Sequence, residues 1–136
     1  MYFLDTNICI YYLKGKYKSI EEHFKFVPRH EMKIPIIVKA ELWYGIEKSQ
    51  LKERNRMVYN KFIESLEIIN LDDESLKQYV KIRLELEKNA NIIGANDLFI
   101  ASIVLAHDGI LVTHNTDEFK RVSGLKIEDW VEENKF

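Results

Sequence analysis

The stretch Asp97-Leu98-Phe99-Ile100-Ala101-Ser102-Ile103-Val104-Leu105-Ala106-His107, followed after Asp108-Gly109 by Ile110-Leu111-Val112-Thr113, decides the architecture. Leu98 to Ala106 is apolar nearly all round, so a helix built from it has no face for solvent and belongs in the most buried layer of a domain. It is about half the length that a bilayer-spanning helix needs. Ile110–Thr113 is a short apolar run bounded by turn residues and reads as a strand.

Outward from this segment the alternation continues. Tyr2–Leu4, Met32–Ile36 and Glu67–Leu71 read as further strands, with a weaker one at Leu125–Ile127. Ile8–Leu13, Ser19–Phe26, Val38–Ser49, Lys52–Ser65 and Glu74–Lys88 read as helices, mostly charged on one side. Pro35 would delete a ladder hydrogen bond in a central strand and is placed at a strand end. Strands alternating with helices predict an α/β fold, a parallel sheet of about four or five strands covered on both faces.

The 136 residues match one domain with one core, able to bury roughly two thirds of the unfolded chain's surface. With 46% apolar and 31% charged residues the chain is neither disordered nor collagen-like, and its single cysteine, Cys9, rules out a disulfide scaffold. Cys9 reads as a small buried hydrophobe. Five glycines, two prolines and no repeat leave no place to divide the chain, so residues 1–136 are read as a single domain. The N-terminus Met1-Tyr2-Phe3-Leu4-Asp5 has no secretory signal pattern, and the expected location is the cytoplasm, with no membrane partner. A net charge of -2 gives no global basic field, although charge can still be local.

In open α/β sheets ligands bind outside the carboxyl ends of the strands, and that rule selects particular acids. Asp5 follows Tyr2-Phe3-Leu4 directly, where it can cap a helix or serve a site. Glu41 lies early in the helix after the second strand, with Val38 three residues back and Gly45 four on, a face with little polar company. Asp97 opens the buried helix after the turn Ile93-Gly94-Ala95-Asn96. Thr113, Asn115 and Asp117 offer oxygens at alternating positions beyond the fourth strand, as a polar turn also would. Like charges about 4 Å apart repel by roughly 4 kcal/mol at an effective dielectric near 20. A divalent cation removes that cost, and oxygen ligands select magnesium or manganese over zinc.

These motifs together resemble the VapC-type PIN-domain ribonuclease toxins of toxin-antitoxin pairs. The resemblance rests on Phe3-Leu4-Asp5-Thr6-Asn7, Glu41-Leu42-Trp43-Tyr44-Gly45 with Lys48-Ser49 and Arg54-Asn55, Ile93-Gly94 through Asp97 with Ile100-Ala101, and Val112 through Phe119 with Asp129-Trp130. It spans nearly the whole chain, and ordered motifs at sensible spacing are more specific than any one alone. It implies a three-layer α/β/α PIN-like domain, a magnesium or manganese ion held by Asp5, Glu41 and Asp97, and hydrolysis of RNA, such as a tRNA, to 5′-phosphate and 3′-hydroxyl ends. Many relatives carry a fourth acid where this chain has Asn115; Asp117 is the candidate to replace its charge, and Asn115 can ligate through its carbonyl oxygen or position a water. Thr6 and Thr113 are expected to orient carboxylates or hold waters.

Lys14, Lys16, Lys18, Lys25 and Arg29 face only Glu21 and Glu22 in sequence, and Lys48, Lys52, Arg54, Arg56 and Lys61 face only Glu53. Lys14, Lys16, Lys52 and Arg54 are candidates for RNA phosphates, with Tyr17, Phe24 and Tyr59 as candidate stacking rings or core residues. Trp43, Tyr44, Ile46 and Leu51 are either core or the wall of a groove for a partner peptide. The resemblance implies a cognate antitoxin in such a groove, and a homodimer. His107 and His114 are too far apart in sequence to argue for zinc.

Two other enzyme or signalling classes fit less well. A phosphatase of the haloacid-dehalogenase type needs a second aspartate where this chain has Asn7, and a response-regulator receiver lacks its middle-strand aspartate and final lysine here. A catalytically silent PIN domain that binds RNA or a protein is the non-enzymatic alternative, favoured by the neutral Asn115.

Overall fold

The computed structural model describes residues 1–133. The first strand, β1 (Tyr2–Leu4), runs straight into helix α1 (Thr6–Leu13) because Asp5 between them caps the helix. Then come α2 (Lys18–Phe26), a 3-10 turn at Arg29–Glu31, β2 (Met32–Pro35), α3 (Ile36–Lys48), α4 (Lys52–Glu64), β3 (Glu67–Ile69) and α5 (Asp73–Lys88). The chain closes with α6 (Ala95–Ala106), β4 (Ile110–Val112), α7 (Thr116–Phe119) and β5 (Lys126–Glu128). No helix among the described residues is long and apolar enough to cross a membrane.

The five strands form one sheet in the order β3-β2-β1-β4-β5, parallel throughout, with helices on both faces. The chain builds outward from β1 through β2 to β3, then returns across the sheet to lay β4 on the other side of β1. The strand order therefore reverses between β1 and β4, the position at which such sheets open a crevice beyond their carboxyl ends.

Phe3, Leu4, Ile34, Leu111 and Val112 from the strands, and Ile100, Ala101, Ile103 and Val104 from α6, are fully buried. The all-round apolar helix is thus the buried one, as its sequence requires. Gly109 admits its tight turn into β4: a Cβ there would collide with the Phe3 ring. Burial pushes the Cys9 thiol far above its ordinary value and leaves it an inert core residue. Near the end of the described chain the Ser19 hydroxyl donates to the Trp130 carbonyl (2.8 Å) and accepts from the Glu132 N–H (2.8 Å), while Trp130 stacks on His23 at 4.7 Å.

Several boundaries differ from the sequence reading. Pro35 ends β2 and is the N-cap of α3, so Ile36 and Ile37 are helical. Helix α6 starts at Ala95, which places Asp97 inside its first turn. Strands β3 and β4 stop at Ile69 and Val112, leaving Thr113 just past the strand. Helix α7 and the 3-10 turn were not expected, each being about one helical turn and too short to show a periodicity.

Candidate active site

At the carboxyl end of β1, Asp5 continues the ladder with its N–H donating to the Val112 carbonyl at 2.9 Å. Its side chain is 5% exposed and engaged at both oxygens: the Thr6 N–H donates to Oδ1 and the Thr113 hydroxyl to Oδ2, each at 2.8 Å. Thr113 is itself buried and accepts from the Asn115 N–H at 3.0 Å, so the turn after β4 fixes the carboxylate after β1. Burial raises the Asp5 pKa, the Thr113 and Thr6 hydrogen bonds oppose the rise, and the charges of Glu41 and Glu118 add to it.

Glu41 reaches this point from α3, accepting the Thr6 hydroxyl at 2.7 Å. One residue thus serves two acids, its backbone holding Asp5 and its hydroxyl holding Glu41. Glu41 has little polar company on its own helix, and its partner is Thr6 on α1.

Asp97 projects from the first turn of α6 and shares a hydrogen bond with Glu118. Its pKa is pushed up to about 8, first by burial, then by that shared hydrogen bond and by the charges of Asp5, Glu118 and Glu41. A proton shared between two carboxylates belongs to the pair. Glu118 holds the charge: burial pushes its pKa up, but the Gly94 N–H (2.6 Å), Asp97, the Asn115 side-chain amide (2.5 Å) and the nearby Arg121 bring it below the ordinary range.

Glu118 is the acid the sequence reading missed. Taking Asn115-Thr116-Asp117-Glu118 as a turn with oxygens at alternate positions selected Asp117. Helix α7 instead puts Asn115, its N-cap, and Glu118 on one side at a spacing of three residues. Asp117 faces solvent and pairs with Lys120 at 3.1 Å. The one apolar residue of α7, the buried Phe119, is too little to reveal that turn in the sequence.

The donor set is all oxygen, as magnesium or manganese requires. In the present side-chain arrangement no three described His, Cys, Asp or Glu side chains share a point that could hold a metal ion; Glu41 is bonded to Thr6 and Asp97 to Glu118. The raised Asp97 pKa marks the charge a cation would relieve, so the residues fit such an ion once Asp97 releases Glu118.

Beside the acids lies an open groove of about 720 Å³, lined by Thr6, Ile10, Glu41, Tyr44, Lys48 and Asn96, among others. Of the basic candidates, Lys52 and Arg54 are exposed on the first turn of α4 and do not line it, whereas Lys48 does. Lys14 is the C-cap of α1, and Lys16 sits over the rings of Tyr11 and Tyr17. Phe24 and Tyr59 are core residues. Ile46 is buried, while Trp43, Tyr44 and Leu51 are exposed along the α3–α4 surface. His107 donates from Nδ1 to the Ile103 carbonyl and His114 pairs with Asp129, so neither histidine joins the acids.

Residues 2–125 match the family model described as PIN domain. The chain is 40% identical over 131 residues to ribonuclease VapC2 of Rickettsia felis, covering 96% of this chain and 98% of that protein. It is 39% identical over 129 residues to the tRNA(fMet)-specific endonuclease VapC of Shigella flexneri, covering 95% and 97%. The fold matches the DNA-bound VapBC structure of Salmonella typhimurium with a TM-score of 0.90 at 38% identity, covering 96% of this chain and 98% of that one. With its four carboxylates gathered where the strand order reverses, the chain belongs to the PIN-domain family, among the VapC ribonucleases.

Proposed function

We propose that this chain is a magnesium- or manganese-dependent endoribonuclease, the toxin of a toxin-antitoxin pair, acting on a structured RNA such as a tRNA. The observation that carries the reading is the gathering of Asp5, Glu41, Asp97 and Glu118 through Thr6, Thr113 and Asn115 into one hydrogen-bonded group. A structural role would not concentrate acids that hold Asp97 protonated up to about pH 8.

Asp5, Glu41 and Asp97 would hold the cation, and Glu118 would supply the charge that Asn115 does not. When bound, the cation supplies Lewis-acid stabilisation of the phosphate and a more acidic water for in-line attack. The chain's own part is positional. Thr113 and the start of α1 lock Asp5 in one rotamer, and Thr6 holds Glu41 at the groove wall. Glu118 keeps the Asp97 proton until a cation replaces it. Such chemistry does not use the ribose 2′-hydroxyl as nucleophile, so the preference for RNA comes from binding. Asn115 does not argue for a silent domain, because Glu118 stands beside it.

The exposed Trp43, Tyr44, Leu51, Met57 and Val58 of the α3–α4 surface offer an antitoxin an apolar seat next to Glu41. Two of the structural relatives, at 40% and 38% identity, are VapBC complexes, which supports such a partner. A homodimer and a cytoplasmic location complete the reading.

The test incubates the antitoxin-free chain with total RNA and manganese or magnesium, beside Asp97→Asn and an EDTA control. Discrete fragments with 5′-phosphate ends, absent from both controls, are expected. A folded wild-type chain that cuts no RNA with either ion refutes the proposal.

A further inference from the structure

The acids are flanked on their other side by a cluster that the reaction itself does not need. Helix α1 turns Ile10 toward the groove that contains Glu41, while Tyr11, the next residue, packs edge-on against Tyr17 (centroids 5.1 Å apart) and His114 (6.2 Å). His114 directly follows Thr113, the residue that holds Asp5. This second wall therefore begins one residue from the acidic centre.

Lys16 is placed on it by backbone geometry. Gly15 follows the end of α1 with a φ of +61°, a left-handed conformation that favours glycine. Its N–H donates to the Tyr12 carbonyl at 3.1 Å and the Lys16 N–H to the Tyr11 carbonyl at 3.0 Å, the pair of bonds that defines a Schellman ending. The Lys16 ammonium then sits 4.8 Å from the Tyr11 ring centre and 5.4 Å from that of Tyr17. Among the described residues Lys16 makes no ion pair, unlike Lys33, Lys77, Lys120 and Lys126. His114 commits Nδ1 to Asp129 at 2.9 Å, and Asp129 is anchored in turn by the Val131 N–H at 2.9 Å. Among the described residues nothing bonds the Nε2 edge of the exposed His114 ring.

We propose that Lys16, Tyr11, Tyr17 and His114 form a subsite for the unpaired nucleotide next to the cleaved bond. Lys16 takes its phosphate and the edge of His114 its base or ribose. The inference rests on the ribonuclease reading above. A strand whose scissile phosphate lies at the acids must run out over a neighbouring surface, and phosphates are repelled by the acids themselves. On the β4–β5 side, Lys16 is a cation with no carboxylate in ion-pair contact among the described residues; the Glu21 carboxylate lies beside the neighbouring Gly15. The two rings around it keep the long side chain from losing much freedom when the phosphate arrives.

The test measures binding of a short fluorescein-labelled single-stranded oligouridylate in EDTA across a salt series, which needs no chemistry, and RNA cleavage in parallel. Lys16→Gln is expected to weaken binding about five- to tenfold and to flatten the salt slope by about 0.7, as loss of one phosphate contact does on a single strand. In cleavage it raises KM with kcat kept. Lys126→Gln, a cation at the opposite end of the sheet, is expected to change neither. Tyr11→Leu should also weaken binding, with Tyr11→Phe restoring it; since Lys16 is exposed, its variant carries the test even where Tyr11→Leu fails to fold. If wild type cleaves RNA and Lys16→Gln matches it in affinity and salt slope, the subsite is refuted and the nuclease stands. If binding depends on Lys16 but no RNA is cut with either ion, the nuclease reading falls and the subsite beside a cleaved bond falls with it, leaving only an RNA contact at Lys16. A Lys16→Gln chain that binds RNA normally but escapes its antitoxin places a protein at this patch and overturns the proposal.

Discussion

The two ends of the sheet treat charge in opposite ways. At the amino end, Lys126, the first residue of β5, pairs with Asp108 before β4 at 3.4 Å, and Lys33 of β2 pairs with Glu67 across the β2–β3 register. Both of these acids have their own cation, and Asp108 and Glu67 are open to water. At the carboxyl end Asp5, Glu41, Asp97 and Glu118 meet with no lysine or arginine in hydrogen-bond contact among the described residues. Arg121 lies near Glu118 but donates to the Ile92 carbonyl at 2.9 Å. One end is neutralised in place, and the other is left with charge that only protons, or an added cation, can satisfy. Stability and function are thereby separated along the strand axis.

The most direct way to break this contrast is to remove a charge from the crowded end. Asp97→Asn keeps the shape and an oxygen but cannot ionise, and RNA cleavage should fall by about a thousandfold or more, since one lost ligand disables the whole electrostatic arrangement. The same variant should be more stable than wild type at pH 8 in EDTA. Water still reaches a half-buried carboxyl, so the gain is discounted to about 1–2 kcal/mol, or ~3–6 °C in Tm. Activity assays and melts on the same preparation check both signs. An Asp97→Asn chain that is inactive and also less stable would mean that the acids support the fold.

The pH dependence sharpens the point. Asp97 has a folded-state pKa of about 8, above the ordinary carboxyl value, so the folded chain holds a proton that the unfolded chain has already released. Stability from this group is complete below the unfolded value, near 4, and is lost as pH rises toward 8. Asp5, raised as well, acts in the same direction. Metal-free protein should therefore melt at a lower temperature at pH 8 than at pH 5.5, with the slope reduced in Asp97→Asn. Manganese should raise Tm more at pH 8 than at pH 5.5, because at the lower pH it must displace the proton. A flat metal-free profile in wild type would remove the proton from the picture.

A smaller effect separates neighbours in α7. Glu118→Gln is expected to lower cleavage about ten- to a hundredfold, and Asp117→Asn to leave it unchanged, because only Glu118 touches Asp97, Asn115 and the Gly94 N–H. The reverse order of effects would return the fourth charge to Asp117. That pair also shows where legibility ended. Asp5 and Asp97 could be read because a strand end and an all-apolar helix are long-range patterns that leave an acid conspicuous. Glu41 could be read from its apolar neighbours, though not its bond to Thr6, which joins segments 35 residues apart. Glu118 could not, because a four-residue helix has a single buried residue, Phe119, and one turn has no period. The strand order was out of reach as well, since short apolar strands carry no mark of which neighbour they take. Trp43 and Tyr44 left core and surface open because apolar side chains on a helix fit either, and only the packing of α3 against α4 leaves them exposed.

The smallest effect is expected at the amino end. Lys126→Ala and Asp108→Asn each remove one partner of an exposed pair, and such pairs contribute about 0–1 kcal/mol. A double-mutant cycle should give a coupling below about 0.5 kcal/mol, weaker still in high salt, with cleavage unchanged in all three variants. Asp108 adopts a φ of +49°, a conformation that asparagine tolerates at least as well as aspartate, so the substitution adds no backbone strain. A coupling above that bound, or a loss of activity, would mean that the amino-end charges reach the acids through β4, whose far end holds Thr113 against Asp5. The strand is only three residues long, which makes that outcome physically possible and the measurement informative.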